Sequence, residues 1–198
     1  MSSRVIVEPP VEPLTLAEVK LDRAVTHDDH DDLLRGLIRA ARAYVERYCG
    51  ISLVTQTREA TFTHFADYLQ LDYGPVQEVL SVNYVASDGT TTALTDYLTE
   101  LRLGRLSPTY NGYWPTVRTQ YNGVTVRYVA GFEPAEGSPT DYTANIPADL
   151  RTAMFLLVGH WYENREATFT SAFRNVNQPL EFGVKALLDL HRLRTGMA

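Results

Sequence analysis

The feature that most constrains this chain is a double change of hydrophobic period. From about Asp29 to Cys49, apolar residues recur every three or four positions: Leu33, Leu34, Leu37, Ile38, Ala41, Tyr44, Val45 and Tyr48. Arg35, Arg39, Arg42, Glu46 and Arg47 fill much of the other face, so the segment predicts an amphipathic helix. Gly50 stands where a left-handed residue would end it. Between about Val54 and Phe132 the pattern turns β-like, and after Ile146 it turns helical again. A helical–β–helical order in 198 residues predicts an α+β fold.

Local signals refine these blocks. Thr15 with Glu18 three residues on has capping-box spacing, and Leu16, Val19 and Leu21 follow as a short apolar face. In the middle block, Thr55 to Thr63, Pro75 to Val85, Tyr97 to Leu103 and Gly123 to Val129 are predicted strands. Ser87-Asp88-Gly89 is a hairpin turn signal, since such turns need positive φ. Ser107 to Pro115 is predicted as an irregular loop, with Tyr110, Tyr113, Trp114 and Tyr121 tucked onto the sheet through Trp114-Pro115. Glu133 to Asn145 is a linker. Pro147 and Asp149 suit the first turn of a third helix. Met154, Phe155, Leu156, Leu157, Val158, Trp161 and Tyr162 make that helix apolar over most of its circumference. It is therefore expected to be buried on several sides, in a core or at a subunit contact. Trp161, Tyr162, Glu163 and Arg165 are the candidate subunit-contact residues. After a polar stretch from Asn164 to Gln178, a last helix is predicted from about Glu181 to Arg194.

Composition limits the function classes. With 44% hydrophobic and 21% charged residues, the chain can bury a core. No apolar run approaches the roughly 18 residues of a membrane span, and Met1 to Val11 does not resemble a secretory signal. The single cysteine, Cys49, suits a reducing compartment and is expected to be a packing residue. A formal charge of −6 has the wrong sign for a protein that grips phosphates.

The motifs of chemistry are missing. There is no Gly-x-Ser-x-Gly, no Gly-x-Gly-x-x-Gly and no Walker-type Gly-Lys-Ser/Thr. His27-Asp28-Asp29-His30-Asp31-Asp32 has metal-ligand residue types but not a calcium-loop spacing, and is expected to be an acidic first turn. His160, Glu163 and Glu166 share a helix face, yet a di-metal bundle needs Glu-x-x-His, twice. His64, at a strand or its end, is expected to be structural. No cofactor, metal site or catalytic residue is predicted, and the chain is not expected to be an enzyme.

Taken in order, the motifs resemble the head–tail connector family, also called adaptor or head-completion proteins, of long-tailed phages and gene transfer agents. The likeness begins with Pro13-Leu14-Thr15-Leu16-Ala17-Glu18-Val19-Lys20 and the acidic patch before a helix ending Tyr44-Val45-Glu46-Arg47-Tyr48-Cys49-Gly50. It continues through Gly74-Pro75-Val76-Gln77-Glu78-Val79, Trp114-Pro115 and Val124-Thr125-Val126-Arg127-Tyr128-Val129-Ala130-Gly131-Phe132. Its strongest part is Ile146-Pro147-Ala148-Asp149-Leu150-Arg151 leading to Gly159-His160-Trp161-Tyr162-Glu163-Asn164-Arg165-Glu166.

The resemblance implies a single connector domain over residues 1–198. Its helical core would come from the N- and C-terminal helices (13–50 and 146–194), with residues 54–132 as an inserted β-rich segment. It further implies a homo-oligomeric ring, expected to be a dodecamer, between the portal protein and a stopper or tail-completion protein. Double-stranded DNA would pass through without specific binding, and no membrane would be involved. Such a protein belongs in the virion neck and assembles in the host cytoplasm. The last helix is amphipathic and locally basic, and its Val184, Lys185, Leu187, Leu188, Leu190, His191, Arg192 and Arg194 are the candidate portal-binding residues. Another neck or DNA-packaging component is the alternative, and a metal-dependent enzyme built on His27, Asp28, His30 and Asp31 a more distant one.

Overall fold

The computed structural model describes residues 2–118, 120–137, 139–164 and 181–192, with the backbone alone at 181 and 182. The chain forms two compact units: Met1–Val11 with Ile51–Tyr142, and Glu12–Gly50 with Thr143–Ala198. The first is β-rich and the second helical. Helices together with antiparallel sheets make the fold α+β, as the change of period predicts.

In the β-rich unit, strands β1 (Ser2–Val7), β2 (Gln56–Phe62), β4 (Val76–Val85), β5 (Thr91–Leu94) and β8 (Val124–Ala130) form one antiparallel sheet. Its order is β1-β2-β8-β4-β5. A smaller sheet has the order β3-β7-β6, from Leu69–Gln70, Arg105–Ser107 and Leu98–Glu100. The central strand shows why the register holds. Val124, Val126, Tyr128 and Ala130 are buried, while Thr125, Arg127 and Val129 point to the other face. A slip of one residue would reverse both sets. The buried set packs with Ala60, Leu69, Leu71, Val82 and Leu106. Asp88-Gly89 makes the expected turn: Gly89 has φ +90, and Asp88 accepts from the Thr90 amide at 2.9 Å.

Two predictions differ here. β1 was not legible as a strand, and it brings the first residues of the chain beside β2, with Arg4 opposite Glu59. The predicted strand Tyr97 to Leu103 is shorter. It passes after Glu100 into a 3-10 turn, Leu101–Leu103, closed by Gly104 at φ +62.

The helical unit contains α1 (Leu16–Asp22), α2 (Asp31–Cys49), α3 (Ala148–Glu163) and α4 (Glu181–Asp189). The Thr15 hydroxyl accepts from the Glu18 amide at 3.2 Å, and Glu18 Oε2 accepts from the Thr15 amide at 2.8 Å, completing the capping box. Of the short apolar face expected in α1, only Val19 is buried, and Leu21 is 84% exposed. Two positions apart on a helix is about 200°, so both cannot face one core. On α2, Leu34, Ile38, Ala41, Val45 and Cys49 are buried, and Gly50 ends the helix at φ +70 with its amide on the Glu46 carbonyl. They share the core with Leu150, Ala153, Met154, Leu157 and Val158 of α3. Gly159 lets Arg23 lie against α3: a Cβ there would stand 2.4 Å from an Arg23 nitrogen.

Candidate assembly surfaces

The acidic run before α2 is held by cations of the chain itself. Lys20 Nζ donates to Asp28 at 2.6 Å and to Asp31 at 2.8 Å, and Arg35 donates to Asp32 at 2.9 Å. Asp31 and Asp32 lie in the first turn, where the helix dipole favours them, though the N-cap is His30 and its side chain makes no capping bond. Among the described residues, no group of three His, Cys, Asp or Glu side chains is arranged to hold a metal ion.

The end of α3 is built into the helical unit. Tyr162 shares a 2.6 Å hydrogen bond with His30 Nδ1, and Trp161 meets the Tyr44 ring edge-on at 6.2 Å. Arg23 donates to Glu163 at 3.2 Å. Trp161 and Tyr162 are half-buried and Glu163 is exposed. Arg165, like Glu166, lies outside the described residues.

α4 is amphipathic as predicted, but it ends at Asp189 rather than near Arg194, in a turn at Leu190 and His191, and the predicted apolar side is divided. Val184 and Leu188 are buried in the helical unit, 2% and 0% exposed, while Leu190 is 76% exposed. Lys185 and Leu187 are intermediate. The helix is fastened by named groups. His191 Nε2 lies 2.6 Å from Asp149, the Cys49 thiol donates to the Leu188 carbonyl at 3.5 Å, and Tyr48 donates to Asp189 at 2.8 Å. Burial opposes the Asp149 charge, yet His191 and the Leu150 amide hold its carboxyl below the usual range. Burial pushes the Cys49 thiol up to about 11, which makes it a poor nucleophile. Arg192 sits over the Tyr48 ring at 5.5 Å, and Arg194 lies outside the described residues.

The aromatic loop of the β-rich unit also divides. Trp114 is the predicted anchor, stacked on Phe65 at 4.5 Å with its indole N–H on the Ala66 carbonyl at 2.6 Å. Tyr110, Tyr113 and Tyr121 are not tucked in, at 90%, 94% and 91% exposure. Asn111 and Asn122 take positive φ beside two of them, so the turns present the rings outward. On the sheet face opposite the core, Glu59 lies between two arginines. Arg4 donates to Oε1 at 2.6 Å and Arg127 to Oε2 at 2.9 Å. A shallow concavity of about 380 Å³ beside them is lined by Ser2, Arg4, Glu59, Thr61, Asn122 and Thr125.

The family model of the head completion proteins matches residues 12–193. The chain belongs to that family. Solved structures extend the likeness in fold. A chain in the neck of an empty gene transfer agent particle, computed with C6 symmetry, is 22% identical, with TM-score 0.77. A chain in the virion of a native gene transfer agent particle is also 22% identical, with TM-score 0.76. A chain in the neck of a native particle, computed with C12 symmetry, is 24% identical, with TM-score 0.72. Each comparison covers 100% of this chain and 99% of the other. No curated protein matches the sequence.

In this head completion protein, the charged triad of the sheet face escaped sequence analysis, because Arg4, Glu59 and Arg127 are far apart in the chain. The one local trace is a charged residue at each of these strand positions. The triad makes a prediction about pH. Arg127, and Arg4 on the other side, hold the Glu59 carboxyl below the ordinary range against its burial. A carboxyl depressed in the folded state stabilises fully above its unfolded value, near 4.3, and loses that contribution as pH falls through the folded value. Glu59→Gln is therefore expected to cost about 1–2 kcal/mol at pH 7, the exposed arginines being partly screened by water. It should also flatten the loss of stability below about pH 4.3. Urea titrations of both proteins across pH 2–7 check this, and parallel curves would contradict it.

Proposed function

We propose that this head completion protein is a non-enzymatic adaptor subunit of the head–tail neck of a tailed phage or gene transfer agent. Copies of it form a ring, expected to be twelvefold, between the portal and the tail-side stopper, through which double-stranded DNA passes. The observation that carries this reading is the family match over residues 12–193, joined to a whole-chain likeness in fold to chains of gene transfer agent necks. The C6 and C12 symmetries of those necks are those of closed rings. Charge agrees with a conduit. A basic lining would retard a sliding polyanion through many phosphate contacts, whereas each copy here carries −6. The place of action is the virion neck, with assembly in the host cytoplasm.

Within this reading, portal contact falls to the turn that follows α4, since Val184 and Leu188 serve the chain's own core. Leu190, in the turn that follows α4, is the contact we assign. Mass photometry of the purified protein, alone and with portal rings, tests the function. The expected result is a ring-sized added mass on the portal, and a persistent monomer that ignores portal would overturn the assignment. Leu190→Asp is expected to weaken portal binding by about tenfold or more, roughly 1.4 kcal/mol, without lowering the melting temperature. Unchanged binding would move the contact elsewhere. Truncation before α4 is the poorer test, because it also removes two core residues.

A further inference from the structure

The five-stranded sheet ends in two strands with nothing described beyond them, β1 on one side and β5 on the other. An open strand edge is a row of unpaired N–H and C=O groups. Proteins that must not pair through it protect it with short strands, bulges, lysine, proline, inward charges or a covering element. β5 is only four residues long, but Thr91-Thr92-Ala93-Leu94 carries no charge and no proline, and Thr91, Thr92 and Ala93 are exposed among the described residues. β1 has one charge, Arg4, and a register shift between Val5 and Val7, but it exposes Ile6 and Val7, with Pro9 and Pro10 only after the strand ends. A lightly defended edge at each end of one sheet suits a partner that covers both.

Strand direction identifies the partner. Every neighbouring pair in the sheet is antiparallel, and there are five strands, so β1 and β5 run the same way. A second copy rotated about a ring axis can bring its β1 alongside β5 of the first, in parallel, and leave its own β5 free for a third copy. That is a head-to-tail contact, which propagates until it closes. Pairing β1 with β1 would instead relate two copies by a two-fold axis and could not repeat around a ring. We propose that neighbouring subunits of the ring join by β1 of one copy pairing with β5 of the next, making one sheet continuous across the subunit boundary. The inference rests on the ring reading above and names the surfaces that make the ring.

Hydrogen-bond alternation supplies a clean probe. The Ala86 amide donates to the Thr90 carbonyl at 2.8 Å. In an antiparallel ladder bonded pairs alternate, so Tyr84 with Thr92 and Val82 with Leu94 are the next ones. The amides of Thr91 and Ala93 then point away from β4, toward the open edge. Ala93→Pro removes an outward donor without removing a bond to β4. It is expected to raise the concentration for half-assembly by about fivefold or more, the equivalent of one lost hydrogen bond per interface.

A covalent test decides the matter even if that variant folds poorly. The full-length protein carrying Ile6→Cys and Thr92→Cys is assembled with portal rings and treated with a short bis-maleimide; Cys49 is buried and stays silent. The expected result is a ladder of covalent dimers, trimers and higher species, absent from either single variant. Dimers from Ile6→Cys alone would show β1 meeting β1, and overturn the proposal. Rings that form without a ladder would overturn it while leaving the ring reading intact. If the unaltered protein forms no ring on portal, the ring reading fails first, and this inference with it.

Discussion

Tyr128→Ala is expected to destabilise the protein by about 3–5 kcal/mol, a large fraction of what a domain of this size has to lose. Tyr128 is 0% exposed at the centre of the five-stranded sheet, on the face where Leu69, Leu71, Leu106 and Val126 meet. Removing the ring leaves a void lined by these residues, which the hydrogen-bonded strands on both sides hold open. The hydroxyl has a separate role: it donates to the Asp72 carbonyl at 2.6 Å. Tyr128→Phe keeps the ring and orphans that carbonyl, so it is expected to cost only about 1–2 kcal/mol. Urea denaturation followed by circular dichroism measures both. A Phe variant as unstable as the Ala variant would place the energy in the hydrogen bond rather than the packing.

Gly131→Ala is expected to cost about 2–4 kcal/mol, with no change in buried apolar surface. Gly131 has φ +128, which L side chains rarely adopt. A Cβ there would lie 2.5 Å from both the carbonyl carbon and oxygen of Val54. Those are backbone atoms, and they cannot swing aside as a flexible side chain would. Val54 pairs with Phe132, Thr55 Oγ1 donates to the Phe132 carbonyl at 3.2 Å, and Gln77 Nε2 donates to the Gly131 carbonyl at 2.9 Å. Thermal melting of the variant gives the measurement. A melting temperature within a degree of the unaltered protein would show that this junction can relax.

What the sequence made legible follows from what each element depends on. α2 was readable nearly to the residue, because its stripe, its acidic first turn and Gly50 are local and agree with one another. The hairpin at Asp88-Gly89 and the alternation of β8 were readable for the same reason. β1 was not, since six residues with two serines and an arginine become a strand only through a partner more than fifty positions away. The candidate assembly surfaces show the same limit. An apolar helix face says that something covers it, not whether the cover is the same chain. Val184 and Leu188 are covered from within and Leu190 is left out, although all three read alike. Trp114 was readable as an anchor, because an indole beside a proline has one economical place to go. The outward aim of Tyr110, Tyr113 and Tyr121 came instead from turns with positive φ at Asn111 and Asn122.

The two units are threaded through each other along the chain: Met1–Val11 belongs with Ile51–Tyr142, and Glu12–Gly50 with Thr143–Ala198. No single cut therefore releases both units intact. A fragment ending at Gly50 keeps the first strand of the sheet without its neighbours, and one beginning at Ile51 loses that strand together with α1 and α2. On a ribosome, β1 and β2 wait for β8, and the first two helices wait for α3, until well over half of the polypeptide has emerged. Neither unit can finish far ahead of the other, so a chain stalled halfway through synthesis would have neither a complete sheet nor a closed helical core.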